Sequence, residues 1–189
     1  MISALRTLIF PTGESRQTTG IQQTNEGNEM TIKVGDKVPS IKLRHMTAEG
    51  PKEITTDDLF RGKKVVLFAV PGAFTPTCSA KHLPGFVEKA GEIKAKGVDT
   101  IAGLSVNDAF VMGAWGKDQK AEGKVLLLAD GNAEFTKAVG LELDGSGFGL
   151  GVRSQRYAMI VDNGVVKTLN VEAPGAFDVS SADAIIKAL

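Results

Sequence analysis

The sequence is poor in the residues that build disulfide frameworks and metal sites: its 189 residues include one cysteine, Cys78, and two histidines, His45 and His82. A single cysteine excludes any disulfide within the chain and any multi-cysteine zinc site, and two histidines cannot by themselves form a histidine-rich one. No metal and no other cofactor is therefore expected. An excess of either charge is missing too. Lys and Arg number 22 against 22 Asp and Glu, with a pI near 6.7, so nothing global points to nucleic acid or to an acidic membrane surface as partner. Long apolar runs are also absent: the longest, residues 65–70, is far too short to span a bilayer. What is present, 42% hydrophobic and 23% charged residues, is the composition of a globular protein with one ordinary core.

Residues 1–30 differ from the rest. The stretches Pro11-Thr-Gly-Glu-Ser-Arg-Gln-Thr-Thr-Gly and Gln22-Gln-Thr-Asn-Glu-Gly-Asn-Glu carry too few large apolar side chains to pack. They predict a flexible tail ahead of a single domain over residues 31–189, with Met30 as an alternative start. The lack of disulfides favours a cytoplasmic location; a transit-peptide role for the tail would make it organellar.

From Thr31 onward, strand and helix signals alternate. Residues 64–70 form a short β-branched apolar run closed by Pro71-Gly72, as expected of a strand buried on both faces. Leu83, Phe86, Val87, Ala90 and Ile93 then repeat at helical spacing, with Pro84 set to kink the helix. Strands are predicted over 98–106 and 124–129, and helices over 108–120 and 132–139. Tyr157-Ala-Met-Ile-Val161 and the segment 165–171, joined through Asp162-Asn163-Gly164, read as a hairpin. Ser180-Ser-Ala-Asp183 opens a last helix. The pattern is that of an α/β domain with a mixed sheet covered by helices on both faces.

The chemistry centres on Pro71-Gly-Ala-Phe-Thr-Pro-Thr-Cys78. Thr75 precedes a proline and is pushed to extended backbone, whereas Pro76 suits the first helical position. Thr75 is then the N-cap and Cys78 the third helical residue, in the turn where unpaired N–H groups favour an anion. A partly exposed sulfur held there beside a hydroxyl is a reactive nucleophile. The β-to-α turn at the carboxyl end of a central strand is also where open α/β sheets place their sites.

This segment resembles the active-site signature of the peroxiredoxins, Pro-x-x-x-Thr-x-x-Cys, in the form used by the peroxiredoxin-5, or plant type II, branch. The resemblance extends through Gly62-Lys-Lys-Val-Val-Leu-Phe, His82-Leu-Pro-Gly-Phe, Leu104-Ser-Val-Asn-Asp-Ala-Phe, Ala114-Trp-Gly and Arg153-Ser-Gln-Arg-Tyr, and covers the chain from about Thr31. It implies a thioredoxin-like fold and reduction of hydrogen peroxide and small alkyl hydroperoxides. Cys78 is then the peroxidatic cysteine, Thr75 hydrogen-bonds the peroxide, Pro71 shields the sulfur and Arg156 completes the site. A guanidinium beside the sulfur favours the thiolate and can donate to the peroxide oxygens. The resemblance also implies a homodimer, to which Phe110 and Trp115 would contribute if exposed; without that, both are simplest as core.

One departure matters as much. Members of this branch that resolve their sulfenic acid internally carry a second cysteine near the C-terminus or in a central strand, and those positions here are Val179 and Gly103. The oxidised Cys78 must therefore be reduced by an outside thiol: glutathione, glutaredoxin or thioredoxin. His82 could assist such a reductant or simply pack. On an alternating strand Arg153 and Arg156 face opposite sides, so only one should meet the sulfur. Asp144-Gly-Ser-Gly-Phe-Gly-Leu-Gly151 lacks the strand-before, helix-after context of a nucleotide loop and reads as a mobile loop. The competing reading is a non-catalytic redox sensor that passes oxidation on by mixed disulfide; Thr75 and Arg156 together favour the peroxidase.

Overall fold

The computed structural model describes residues 31–189, so the tail expected over residues 1–30, with its alternative start, lies outside the described residues. The apolar run becomes strand β3 (Lys64–Val70), with Val65 through Val70 each at most 1% exposed. Such a strand belongs in the middle of a sheet covered on both sides. It pairs in parallel with β4 (Thr100–Ser105) and antiparallel with β8 (Tyr157–Asp162). Beyond β4 come β5 (Leu126–Ala129) and then the hairpin of β1 (Lys42–Thr47) and β2 (Gly50–Thr55); beyond β8 comes β9 (Val165–Val171). The seven-stranded order is β2-β1-β5-β4-β3-β8-β9. The β1–β2 hairpin is an element the sequence pattern does not announce, because its exposed, charged alternation has little apolar signal.

Alternate side chains of β3 enter opposite layers. Val66, Phe68 and Val70 pack against α2 (Leu83–Glu88), α3 (Ala90–Ala95), α4 (Ala109–Asp118) and α6 (Ala182–Ala188) through residues such as Phe86, Ile93, Trp115 and Ile185. Val65, Leu67 and Ala69 pack against α1 (Thr56–Phe60) and α5 (Glu134–Ala138) through Leu59, Phe60 and Phe135. Burying each large side chain contributes roughly 1.5–3 kcal/mol.

Local signals behave as their chemistry requires. Asn163 and Gly164 have φ of 47° and 80° in the tight β8–β9 turn. Asp108 caps α4 by accepting from the N–H groups of Phe110 and Val111 at 2.8 and 2.9 Å. Two expectations change. Phe110, in the first turn of α4, is 68% exposed, whereas Trp115 is fully buried. The alternating strand expected to carry both Arg153 and Arg156 is broken: β7 (Val152–Ser154) pairs with β6 (Glu142–Asp144) in a separate ribbon, and β8 begins only at Tyr157. Gln155 closes the gap by donating its N–H to Leu141 O and its side-chain amide to Glu142 O. Arg156 thus stands at the crossover between two sheets. The glycine-rich segment is the tip of the β6–β7 ribbon, closed by a 3₁₀ turn at Ser146–Phe148, and no helix follows it.

Candidate active site

Pro71, half-buried, ends β3, and the chain then turns sharply. Gly72 O accepts both the Thr75 N–H at 3.4 Å and the Thr75 hydroxyl at 2.8 Å. The turn puts Phe74 at φ 61°, a conformation normally left to glycine and costing a side-chain-bearing residue about 1–2 kcal/mol. Thr75 O accepts the first helical bond, from the Ser79 N–H at 3.0 Å. Thr75 is therefore the backbone N-cap expected from the sequence, but its hydroxyl is turned to Gly72 O instead of capping a helix N–H.

The helix departs from expectation in its first turns. Residues Cys78–His82 form a π-helical turn, in which the Leu83 N–H bonds to Cys78 O. In a regular α-helix the Pro84 ring would collide with the carbonyl four residues back; widening the turn immediately before Pro84 removes that conflict. Pi turns of this kind concentrate at functional sites because they re-aim side chains.

Cys78 is fully buried, which corrects the expected partial exposure. Its sulfur is enclosed by the layer containing Phe68, Val70, Leu83 and Phe86, with Ala73 packed against it. Into this apolar pocket comes one cation: Arg156 Nη1 lies 3.4 Å from Cys78 Sγ. A guanidinium there sets a fixed positive charge and an N–H donor against the sulfur and has further N–H groups to donate elsewhere.

Arg156 is itself held. The same Nη1 lies 3.1 Å from His82 Nδ1, and His82 Nε2 lies 3.0 Å from Ser180 O. Ser180 is fixed in turn by Glu172, whose Oε1 accepts from the Ser180 N–H and hydroxyl, both at 2.8 Å, and from the Asp178 N–H at 2.7 Å. Burial works against the Glu172 charge, but these donors outweigh it and hold the carboxyl below the ordinary carboxylate range. His82 is buried among Phe68, Phe86 and Phe177, with ring centroids 5.0, 5.7 and 5.0 Å away. Burial first, and then the Arg156 charge, push its pKa down to about 3. His82 is thus neutral at neutral pH and inaccessible to an incoming reductant.

Arg153 does not meet the sulfur. Its Nη1 donates to Val106 O at 3.2 Å and lies 3.5 Å from Asn107 Oδ1; its Nε donates to Leu150 O at 2.9 Å. Asn107 Oδ1 also accepts from the Ala73 N–H at 3.0 Å and the Ser105 hydroxyl at 2.7 Å. Asn107 therefore ties the loop before the cysteine to the end of β4 and to Arg153. That only one arginine reaches the sulfur agrees with expectation, but the reason is the break at Gln155 rather than strand alternation. Asn107 lies inside the Leu104–Phe110 segment, where no local signal marks its role. Ser180 carries only the helix-start signal, and the cap itself falls to Ser181, whose hydroxyl accepts from the Ala184 N–H at 3.2 Å. Glu172 carries no sequence signal, since its role depends on where the β9–α6 connection folds back.

Gly103, one of the two positions for a second cysteine, faces the Phe68 ring: a Cβ there would lie 2.7 Å from Phe68 Cζ and 3.0 Å from Leu127 Cδ2. His45 lies on β1, away from this network. A cavity of about 800 Å³ lined by Met46, Met112, Gly113 and Leu127 opens near the amino ends of β4 and β5 and includes no residue of this network. Among the described residues, no group of three His, Cys, Asp or Glu side chains could hold a metal ion, and no helix is long and apolar enough to cross a membrane.

Residues 33–186 match the family model described as Redoxin. The rice (Oryza sativa subsp. japonica) protein named Peroxiredoxin-2E-2, chloroplastic, is 59% identical over 164 residues, which is 84% of this chain and 73% of the relative. Peroxiredoxin-2B of Arabidopsis thaliana is 53% identical over 159 residues, 84% of this chain and 98% of that one. Reduced Prx3 from Vibrio vulnificus, solved in complex with hydrogen peroxide, is 61% identical and superposes with a TM-score of 0.81 over 84% of this chain and 99% of its own.

Proposed function

Because the chain belongs to the redoxin family, and within it to the peroxiredoxins, it is a thiol-dependent peroxidase of thioredoxin-like fold, and we propose that Cys78, Thr75, Arg156 and Pro71 carry its reaction. The observation that supports this assignment is the 3.4 Å approach of Arg156 to a fully buried sulfur that belongs to an apolar layer. The Cys78 thiolate attacks the nearer peroxide oxygen, the O–O bond breaks, and the departing oxygen leaves as water or an alcohol after taking a proton. Cys78 is left as sulfenic acid. Arg156 donates to the peroxide as negative charge moves onto the leaving oxygen. The Thr75 hydroxyl, already donating to Gly72 O, keeps its lone pairs for the peroxide O–H. Pro71 limits water at the sulfur.

The return half needs two equivalents of external thiol. One attacks the sulfenic acid, releasing water and forming a mixed disulfide; the second displaces Cys78 and carries the disulfide away. The single cysteine makes this outside supply obligatory for each chain, and we assign it to glutathione with glutaredoxin, or to thioredoxin. A homodimer belongs to the same proposal, supported by exposed Phe74, Phe110 and Phe148. The cytoplasmic expectation has no support among the relatives described above, one of which is named chloroplastic. We therefore read residues 1–30, which precede the matched region, as an organelle-targeting segment.

The deciding experiment measures peroxide consumption with glutathione alone, glutathione plus glutaredoxin, and thioredoxin, alongside Cys78→Ser and Arg156→Ala. Turnover with at least one reductant, abolished in Cys78→Ser, is the expected result. Activity persisting in Cys78→Ser overturns the assignment.

A further inference from the structure

The pair of atoms facing Arg156 Nη1 poses a geometric question that the peroxidase chemistry does not answer. A carbonyl can only accept, so the 3.0 Å contact with Ser180 O requires that His82 Nε2 carry the proton. A guanidinium can only donate, so His82 Nδ1, at 3.1 Å, must be a bare lone pair. Each terminal guanidinium nitrogen has two N–H bonds. With one directed at His82 Nδ1, the other is available to Cys78 Sγ at 3.4 Å. A doubly protonated ring would instead set an N–H against a cation. The charged groups that bear on His82 are Arg156 and Glu172, and Glu172 acts at one remove by fixing Ser180.

We propose that His82 is a positioning residue for the peroxidase reaction: its Nδ1 accepts from Arg156 Nη1 and thereby aims the second N–H of that nitrogen at Cys78, while its Nε2 anchors the ring to Ser180 O. The inference rests on the assignment of Cys78 and Arg156 made above. Its physical basis is the length of the arginine side chain, which has many rotamers and no other polar side-chain partner recorded among the described residues besides Cys78 and His82. The π turn at Cys78–His82 supplies the geometry by presenting both residues to one guanidinium nitrogen. The anchor reaches further, because Ser180 is held by Glu172 and the Glu172 N–H bonds to Arg156 O at 2.9 Å. The connection before α6 thus closes a loop of contacts around the arginine.

The test compares His82→Leu, His82→Asn and His82→Gln in the full chain. The Asn side-chain oxygen sits near the position of Nδ1, whereas the Gln amide sits near Nε2, so the two amides separate the aiming contact from the anchor. Loss of the single free thiol is followed under hydrogen peroxide and, separately, under iodoacetamide, which reads thiol reactivity without needing aimed donors to a peroxide. The expected result is a peroxide rate about 100-fold lower in His82→Leu and His82→Gln and within about tenfold of wild type in His82→Asn, the scale set by a misplaced transition-state donor. Alkylation should fall by less than the peroxide rate in the same proteins, because it shares the contact of Arg156 with the sulfur but not the donation to a departing peroxide oxygen. Peroxide rates near wild type in folded His82→Leu and His82→Gln overturn the inference. So does a parallel fall in both reactions with Asn no better than Gln. Should His82→Leu fail to fold, the Asn and Gln pair decides alone. A wild-type thiol no faster toward peroxide than free cysteine overturns the peroxidase assignment itself, and the inference with it.

Discussion

Arg156 and Cys78 meet at 3.4 Å, the arginine coming from the crossover between β7 and β8 and the cysteine from the helix that follows β3. The sulfur is buried among apolar side chains, so on the proposed assignment the guanidinium is the group placed to stabilise the departing oxygen. Arg156→Gln, which keeps an N–H donor but not the charge or the fork, should lower the second-order rate with hydrogen peroxide about 100- to 1000-fold, as removal of a transition-state donor does elsewhere. Stopped-flow oxidation of the single thiol checks it; a change under about threefold would show that the contact has no catalytic weight.

Thr75 offers a sharper comparison. Its hydroxyl donates to Gly72 O at 2.8 Å, which fixes the direction of its lone pairs. Thr75→Ser preserves that arrangement and should retain most activity. Thr75→Val removes it at almost constant volume and should cost about 100-fold in peroxide rate, within the range of lost general acid–base or positioning contacts. Equal rates in the two variants would remove the hydroxyl from the reaction.

Gly103 cannot host a cysteine without cost. The Phe68 ring, stacked on Phe86 with centroids 4.2 Å apart, occupies the space a side chain there would need. Gly103→Cys should therefore destabilise the fold by about 1–3 kcal/mol, the usual penalty for overpacking a core, and should not create an internally resolved cycle. Urea unfolding gives the first quantity, and non-reducing electrophoresis of the peroxide-treated variant tests the second. Unchanged stability would show that Phe68 yields easily.

Acid should weaken the protein through His82. Its folded pKa is depressed from 6.5 to about 3, so between those values the unfolded chain binds a proton that the folded chain does not. Stability contributed by this group is full above the unfolded pKa and declines as pH falls from about 6.5 toward 3. The loss should reach about 2 kcal/mol by roughly pH 5, at about 1.4 kcal/mol per pH unit. Denaturant midpoints measured at about pH 7 and about pH 5 should converge in His82→Asn, which has no such proton to exclude. An equally steep acid loss in that variant would assign the effect to the carboxylates.

Much of the site was legible in the residue order because its signals are local. A proline at the first helical position, a threonine before it and a cysteine two residues after it place a sulfur in a helix's first turn whatever surrounds them. The apolar run over residues 65–70 specifies a central strand for the same kind of reason, and Asn163-Gly164 specifies its turn. The β1–β2 hairpin was not legible, since half-exposed strands rich in charge lack the apolar alternation by which strands are read.

The sequence by itself determined that a lone cysteine stands in the first turn of a helix after a central strand, and that it has no second cysteine in its own chain to pair with. Tertiary structure alone decided how that sulfur is surrounded. It buried Cys78 rather than leaving it partly exposed, broke the strand at Gln155 so that Arg156 and not Arg153 reaches it, and folded Glu172 and Ser180 back to hold His82. Those outcomes depend on contacts between residues dozens of positions apart. Such contacts follow from how layers pack and strands cross, which no local pattern of residue types encodes.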